Sequence, residues 1–189
     1  YPELDLRKMQ IDLVHSGDRL LANLPERLGL YTARKLHRLG VTLRFQTRVS
    51  RVTPAAVEFQ DGSSLPVGTV IWAAGLEAAL PETAEAAPQT ANKQKVQVQS
   101  TLQLTGYTNV YALGDLAYAK SNGKPLTGVA PEALQQGVAV ARNIRSPLYG
   151  KTPQPFSYFN KGRLAIIGGY SGVGKVGPFL LTGFLPWLM

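Results

Sequence analysis

The stretch TNVYALGD, Thr108 to Asp115, decides the fold. Its apolar part reads as a continuous buried strand, and the strand ends on Gly114-Asp115, which puts a carboxylate at its carboxyl end. Open α/β sheets bind their ligands at that end. A glycine before the acid removes the Cβ that would hold the backbone away from a phosphate chain. The carboxylate itself can accept hydrogen bonds from sugar hydroxyls. A turn aspartate that caps the next segment is the alternative reading.

Working upstream, KVQVQ alternates as a half-exposed strand, and residues 76–95, rich in Ala, Glu, Pro, Gln and Thr, have no sustained periodicity and read as a loop or crossover. VGTVIWAAG reads as a buried strand ending in Gly75. RVSRV and AAVEFQDGSSL are short strands, with Asp61-Gly62 as a hairpin signal. LGVTLRF is a strand that follows directly on a helix expected from about Pro25 to Leu39. Leu28, Tyr31, Ala33, Leu36 and Leu39 give that helix an apolar stripe, and Gly40 is its stop. MQIDLV, before the turn chemistry of HSGDRLL, is a further buried strand. Downstream of Asp115 comes a polar loop through Gly123, then a helix from Pro131 to Arg145 with Leu134, Val138 and Ala141 on one face. Arg142 and Arg145 suit the negative end of its dipole, and Pro147 prevents continuation. Two strand candidates and an apolar tail complete the chain, and no internal repeat is visible.

The composition excludes more than it selects. In 189 residues, 44% are apolar, enough for a globular core, and 20 basic against 12 acidic residues leave a charge of +8. That surplus is spread out and suits an acidic membrane face or anionic cofactors. Aromatic and basic residues do not interleave as in single-strand binders, so no nucleic acid partner is expected. The absence of cysteine excludes a disulfide framework, thiolate metal sites and cysteine redox chemistry. No metal site is expected, and any redox chemistry must belong to a bound cofactor.

The motifs carry a resemblance. TNVYALGD resembles the second FAD fingerprint of flavoproteins with two dinucleotide-binding domains, and VIWAAG, Val70 to Gly75, resembles the segment where such chains leave the NAD(P)H domain and return to the FAD domain. APEALQQGVAVARNI is similar to the type II NADH dehydrogenase helix whose N-terminus faces the flavin ring, and FSYFNKGRLAIIGG resembles a later stretch of the same family. The resemblance implies an α/β fold, part of a Rossmann-like FAD/NAD(P) flavoprotein. It divides the chain into residues 1–75 (NAD(P)H-binding domain), 76–152 (returning FAD-binding domain) and 153–189 (a quinone- and membrane-proximal segment). The implied cofactor is FAD with NADH or NADPH as substrate, and the implied partners are a membrane quinone, the cytoplasmic side of a membrane surface, and a second copy in a homodimer. No proton pumping is implied.

Residue by residue, Gly75, Gly114, Asp115, Ala130 and Ala133 are the implied cofactor-binding positions, with Asp115 on the ribityl chain. Gln135 falls on the second glutamine of the family's quinone-site pair, while Pro131 replaces the first; Gln135 could equally be a solvated helix residue. Lys161 matches a lysine near the flavin and quinone head group, and Asn160-Lys161-Gly162 is also good turn chemistry. Gly169 departs from the family's arginine. His15, at the end of the first strand, stands where an acid usually holds the ribose of NADH, which predicts that NADPH is accepted. A turn-capping histidine is the alternative.

The apolar tail, Gly177 to Met189, is too short for a bilayer span, which needs roughly 20 residues, and it contains Pro186. It suits the start of an interfacial segment. No G-x-G-x-x-G occurs, so two nucleotide-cradling loops are expected upstream in a longer protein. The opening at Tyr1 agrees with a fragment, which by itself should bind nucleotide poorly and be inactive. Rival readings are a noncatalytic interaction or dimerisation module, a ferredoxin reductase, or a disulfide reductase. Zero cysteines speak against the disulfide reductase and the apolar tail against ferredoxin.

Overall fold

The structure, a computed structural model, describes residues 9–79 and 95–189. Its elements are β1 (Ile11–Val14), α1 (Glu26–Arg38), β2 (Val41–Arg44), β3 (Val49–Val52), β4 (Ala56–Phe59), β5 (Ser64–Pro66), β6 (Val96–Gln97), β7 (Ala117–Tyr118), β8 (Lys120–Ser121), β9 (Lys124–Pro125), α2 (Ala130–Arg145), β10 (Arg163–Ile166), β11 (Gly172–Val176), β12 (Phe179–Gly183) and α3 (Phe184–Leu188). They divide into two compact units, Tyr1–Trp72 with Asn160–Met189, and Ala73–Phe159.

In the first unit, β1 and β2 pair in parallel from Ile11↔Val41 to Val14↔Arg44, with α1 as the connection between them. The helix keeps the predicted bounds and ends at Gly40, whose φ of +86° closes the last turn as no branched residue could. Leu28 is fully buried and packs with Leu24 on Val173 of β11, beside Tyr31, Ala165 and Ile167. Close approach makes Gly29 necessary, because a Cβ there would stand 2.5 Å from the Leu20 carbonyl oxygen. Strands β3, β4 and β5 form an antiparallel meander, and its second turn holds the predicted Asp61-Gly62.

Strands β10, β11 and β12 form a second antiparallel meander. Val173 turns toward α1, so its neighbour Gly172 faces the other way, where a Cβ would stand 3.1 Å from the backbone of Pro186 and Trp187. That glycine lets the short α3 lie against the sheet. The apolar tail therefore splits into a strand and one helical turn, with Pro186 buried and the Trp187 ring edge-on to Tyr170 at 4.9 Å.

The second unit pairs β6 with β7 in parallel and folds β8 onto β9 through Asn122-Gly123, both at positive φ. This hairpin replaces the polar loop expected there, and asparagine-glycine is the dipeptide that such a turn favours. One core cluster is Leu102, Ala119, Val140 and Phe156, and a second is Val96, Ala112 and Ala117. Asn143, buried on α2, donates to the carbonyls of Thr101 and Gln154 and accepts the Gln154 N–H at 2.8 Å. One amide thus ties three segments together.

Three expectations are corrected. Val70 to Gly75 is not a buried strand: it has no ladder among the described residues, and Ile71 is 88% and Trp72 65% exposed. Thr108 to Asp115 is not a ladder strand either: it bends at Thr108 and Asn109, forms one isolated bridge at Tyr111 with the Leu104 and Ala112 amides beside it, and enters a 3-10 turn at Gly114, with Val110 and Leu113 partly exposed. Both runs have strand composition, but a strand needs a pairing partner, and the described residues supply none for the first and only one side for the second. On α2 the predicted apolar face is the exposed one. Leu134, Val138 and Ala141 are exposed, and Glu132, Gln136, Val140 and Asn143 are buried. Most of residues 76–95, the expected loop, lies outside the described residues.

Candidate functional site

Four of the predicted cofactor residues meet in the second unit. Leu113 is extended, Gly114 takes a φ of +66°, and a 3-10 turn over Gly114–Leu116 follows. The left-handed conformation is one that glycine adopts readily. Gln136 of α2 accepts the Gly114 N–H at 2.6 Å, so the helix holds the turn by its backbone. A cavity of about 280 Å³ opens between that turn and the start of α2, lined by Gly114, Asp115, Ala130, Ala133, Gln136 and Lys95 among others. A larger cleft of about 740 Å³ continues past Asp115 and Lys95 to Gly75 and Glu77. Gly75, Gly114, Asp115, Ala130 and Ala133 therefore line two adjoining hollows of the same unit.

The opening turn of α2 is built around a carboxylate. Glu132, 2% exposed, accepts hydrogen bonds from the N–H groups of Thr127, Gly128 and Val129 and from the Thr127 hydroxyl, at 2.8–3.3 Å. The last of the three amides is the N-cap residue's own, half of a capping box. Pro131 has no N–H, and those of Glu132 and Ala133 donate to the Val129 carbonyl. Most backbone donors at this helix start are thus already used.

Beside the loop lies the charged rim. A Cβ added to Gly128 (φ +78°) would stand 3.0 Å from Asp115 Oδ1 and 3.3 Å from Lys95 Nζ. The glycine leaves room for both heads to face the cavity.

The predicted catalytic residues are placed differently. Gln135 donates to the Phe159 carbonyl and accepts its N–H, both at 2.9 Å, so both ends of its amide are engaged with backbone. Lys161 belongs to the other unit, exposed in a turn where Gly162 N–H donates to Asn160 Oδ1 at 2.9 Å. Gly162 must be glycine, since at φ +118° a Cβ would stand 2.9 Å from the Lys175 carbonyl oxygen. His15 follows β1 at its carboxyl end, with its Nε2 where a Cβ on Gly17 would stand 2.8 Å away. Its own backbone pairs with Arg44 and Thr47.

Lys95, Glu132 and Gln136 are the residues that the sequence reading missed. Glu132 had a signal: a Glu at the third helical position marks a capping box once the helix is started at Ala130. Lys95 and Gln136 had none.

A profile described as pyridine nucleotide-disulphide oxidoreductase matches residues 4–137. The chain belongs to that family. It is 31% identical to the type II NADH:quinone oxidoreductase Ndh of Mycobacterium tuberculosis, over 100% of this chain and 42% of that protein. A type II NADH:quinone oxidoreductase of Haemophilus influenzae is 29% identical over 93% of the chain and 40% of its own length. The chain thus spans about two fifths of these relatives. In fold it is similar to Plasmodium falciparum NDH2 in complex with NADH (TM-score 0.77, 17% identity, covering 93% of this chain and 51% of that one) and to a Bacillus anthracis CoADR-RHD (0.71, 19%, 90% and 30%). The α/β flavoprotein fold expected from TNVYALGD is borne out. Among the described residues no helix is long and apolar enough to cross a membrane, and no cluster of His, Asp or Glu is placed to hold a metal ion.

Proposed function

We propose that this family member is part of a flavin-dependent NAD(P)H:quinone oxidoreductase that works without pumping protons. In this reading residues 1–75 belong to the NAD(P)H-binding domain, 76–152 to the returning FAD-binding domain, and 153–189 to the quinone- and membrane-proximal segment of a homodimer resting on the cytoplasmic face. The supporting observation is the cavity between the Gly114–Leu116 turn and α2, with a carboxylate and an ammonium on one rim. The lining suits a polyhydroxylated ligand, and its one ammonium can meet an anionic group. Asp115 can accept from the hydroxyls of a ribityl chain, and the small Ala130 and Ala133 leave a flat ring room at the helix start. FAD, when bound, would supply hydride acceptance and electron delivery.

The chain's residues supply position and charge. Gln136 fixes the backbone of Gly114, and Glu132 fixes the loop ahead of α2. Gln135 acts at the quinone site as a positioning residue through the Phe159 backbone, and Lys161 offers a cation to a developing quinol oxyanion. At the carboxyl end of β1, His15 can donate to a 2′-phosphate, so NADPH is accepted beside NADH.

The full-length protein should purify yellow and oxidise NAD(P)H only when a quinone is added, and Asp115→Ala should strip the flavin. A colourless full-length protein without quinone-dependent turnover would overturn the reading.

A further inference from the structure

The cavity carries an unusual charge arrangement at the start of α2. Helix N-termini ordinarily offer free N–H groups to anions. Here Glu132 occupies the amides of Thr127, Gly128 and Val129, Pro131 contributes none, and two more are spent on the Val129 carbonyl. Glu132 also places a negative charge within the first turn, where it opposes the positive end of the helix dipole for any incoming anion. Two carboxylates, Asp115 and Glu132, therefore line a cavity meant, on the reading above, for a nucleotide that is itself anionic.

Lys95 is the cation among the described residues that line this cavity. It lies just ahead of β6, half-buried, and its ammonium shares the space beside Gly128 with Asp115 Oδ1. Neither Lys95 nor Asp115 has an ion-pair partner among the described residues, and Lys95 also lines the larger cleft that continues past Asp115. We infer that Lys95 is a cofactor-binding residue whose ammonium receives a phosphate of the flavin nucleotide beside Asp115. The helix start has little to offer such a group, because most of its donors are used internally. The inference rests on the flavin reading and adds to it a cation of this chain that meets part of the ligand's charge.

The test compares wild-type, Lys95→Met and Lys95→Arg forms of the full-length protein, measuring FAD dissociation by flavin fluorescence at several salt concentrations. Losing a charge-assisted contact should weaken FAD binding roughly tenfold to a hundredfold in Lys95→Met, with Lys95→Arg within a few-fold of wild type. The salt dependence of FAD affinity should be shallower in Lys95→Met, and the melting temperature of the apoprotein unchanged; a merely structural lysine would move the melting temperature and leave the salt slope alone. Lys95→Met holding FAD as tightly as wild type, or keeping the wild-type salt slope, overturns the Lys95 assignment alone. A wild-type protein that binds no flavin overturns the flavin reading with it.

Discussion

The two long helices bury opposite kinds of surface. Helix α1 turns Leu28 into a core of Leu24 and Val173, while α2 turns three polar residues, Glu132, Gln136 and Asn143, inward beside the single apolar Val140 and leaves Leu134 73% and Val138 54% exposed. On α1 the first part of the apolar stripe, Leu28 and Tyr31, marks the packed face because the surface it needs, the β10–β12 sheet, lies in the same unit, whereas Leu39 at its end is 49% exposed. On α2 the inward polar groups each replace a missing backbone partner: amides of the Thr127–Val129 loop, the Gly114 N–H, and the backbone of Thr101 and Gln154. An apolar stripe identifies a helix's interior only when its partner belongs to the same chain. A helix that organises a ligand site can spend its interior on hydrogen bonds instead.

The sharpest way to break this contrast is at Glu132. Glu132→Leu roughly keeps the volume and removes four hydrogen bonds to the carboxylate, from the N–H groups of Thr127, Gly128 and Val129 and the Thr127 hydroxyl, each worth about 1 kcal/mol, for a total of about 4 kcal/mol. Hydrogen exchange should show it as lost protection of those three amides, with the far end of α2 little changed. If they stay protected, the carboxylate is not what holds the loop. On α1 the matching substitution is Leu28→Ala, which opens a cavity under Val173 and should cost about 3 kcal/mol in thermal unfolding. A cost under 1 kcal/mol would mean that the Leu24–Leu28–Val173 cluster is not a packed core.

Where each element could be read from sequence follows the same division. The bounds of α1, its stop at Gly40, the strands β1 and β2 on either side of it, the Asp61-Gly62 turn and the extent of α2 were legible, because local chemistry decides them. The site was legible as a position, Gly114-Asp115, but not as a mechanism of support. Gln136 and Lys95 carry no local pattern, and their roles depend on segments about twenty residues away or more meeting at one turn. The buried strands expected at Val70–Gly75 and Thr108–Asp115 failed for a related reason. Apolar composition records that a segment was selected for burial, but pairing is a property of neighbours, and the described residues hold too few of them.

Smallest in this chain is the effect expected on the outer face of α2. Leu134→Ser and Val138→Ser touch exposed side chains, so each should change this chain's stability by no more than about 0.5 kcal/mol. Should the stripe instead be the face that the remainder of a longer protein covers, as its apolar character and the two-fifths span of the relatives suggest, the same substitutions there would cost about 2 kcal/mol apiece. Measuring both proteins by thermal unfolding separates two origins for one sequence feature. Equal, small effects in both would make the stripe a solvated face that no partner covers, and the contrast between the helices would then lie in their sequences alone. A large effect confined to the longer protein would place α2 between a polar interior, which holds the ligand turn, and an apolar exterior, which docks to the rest of the fold.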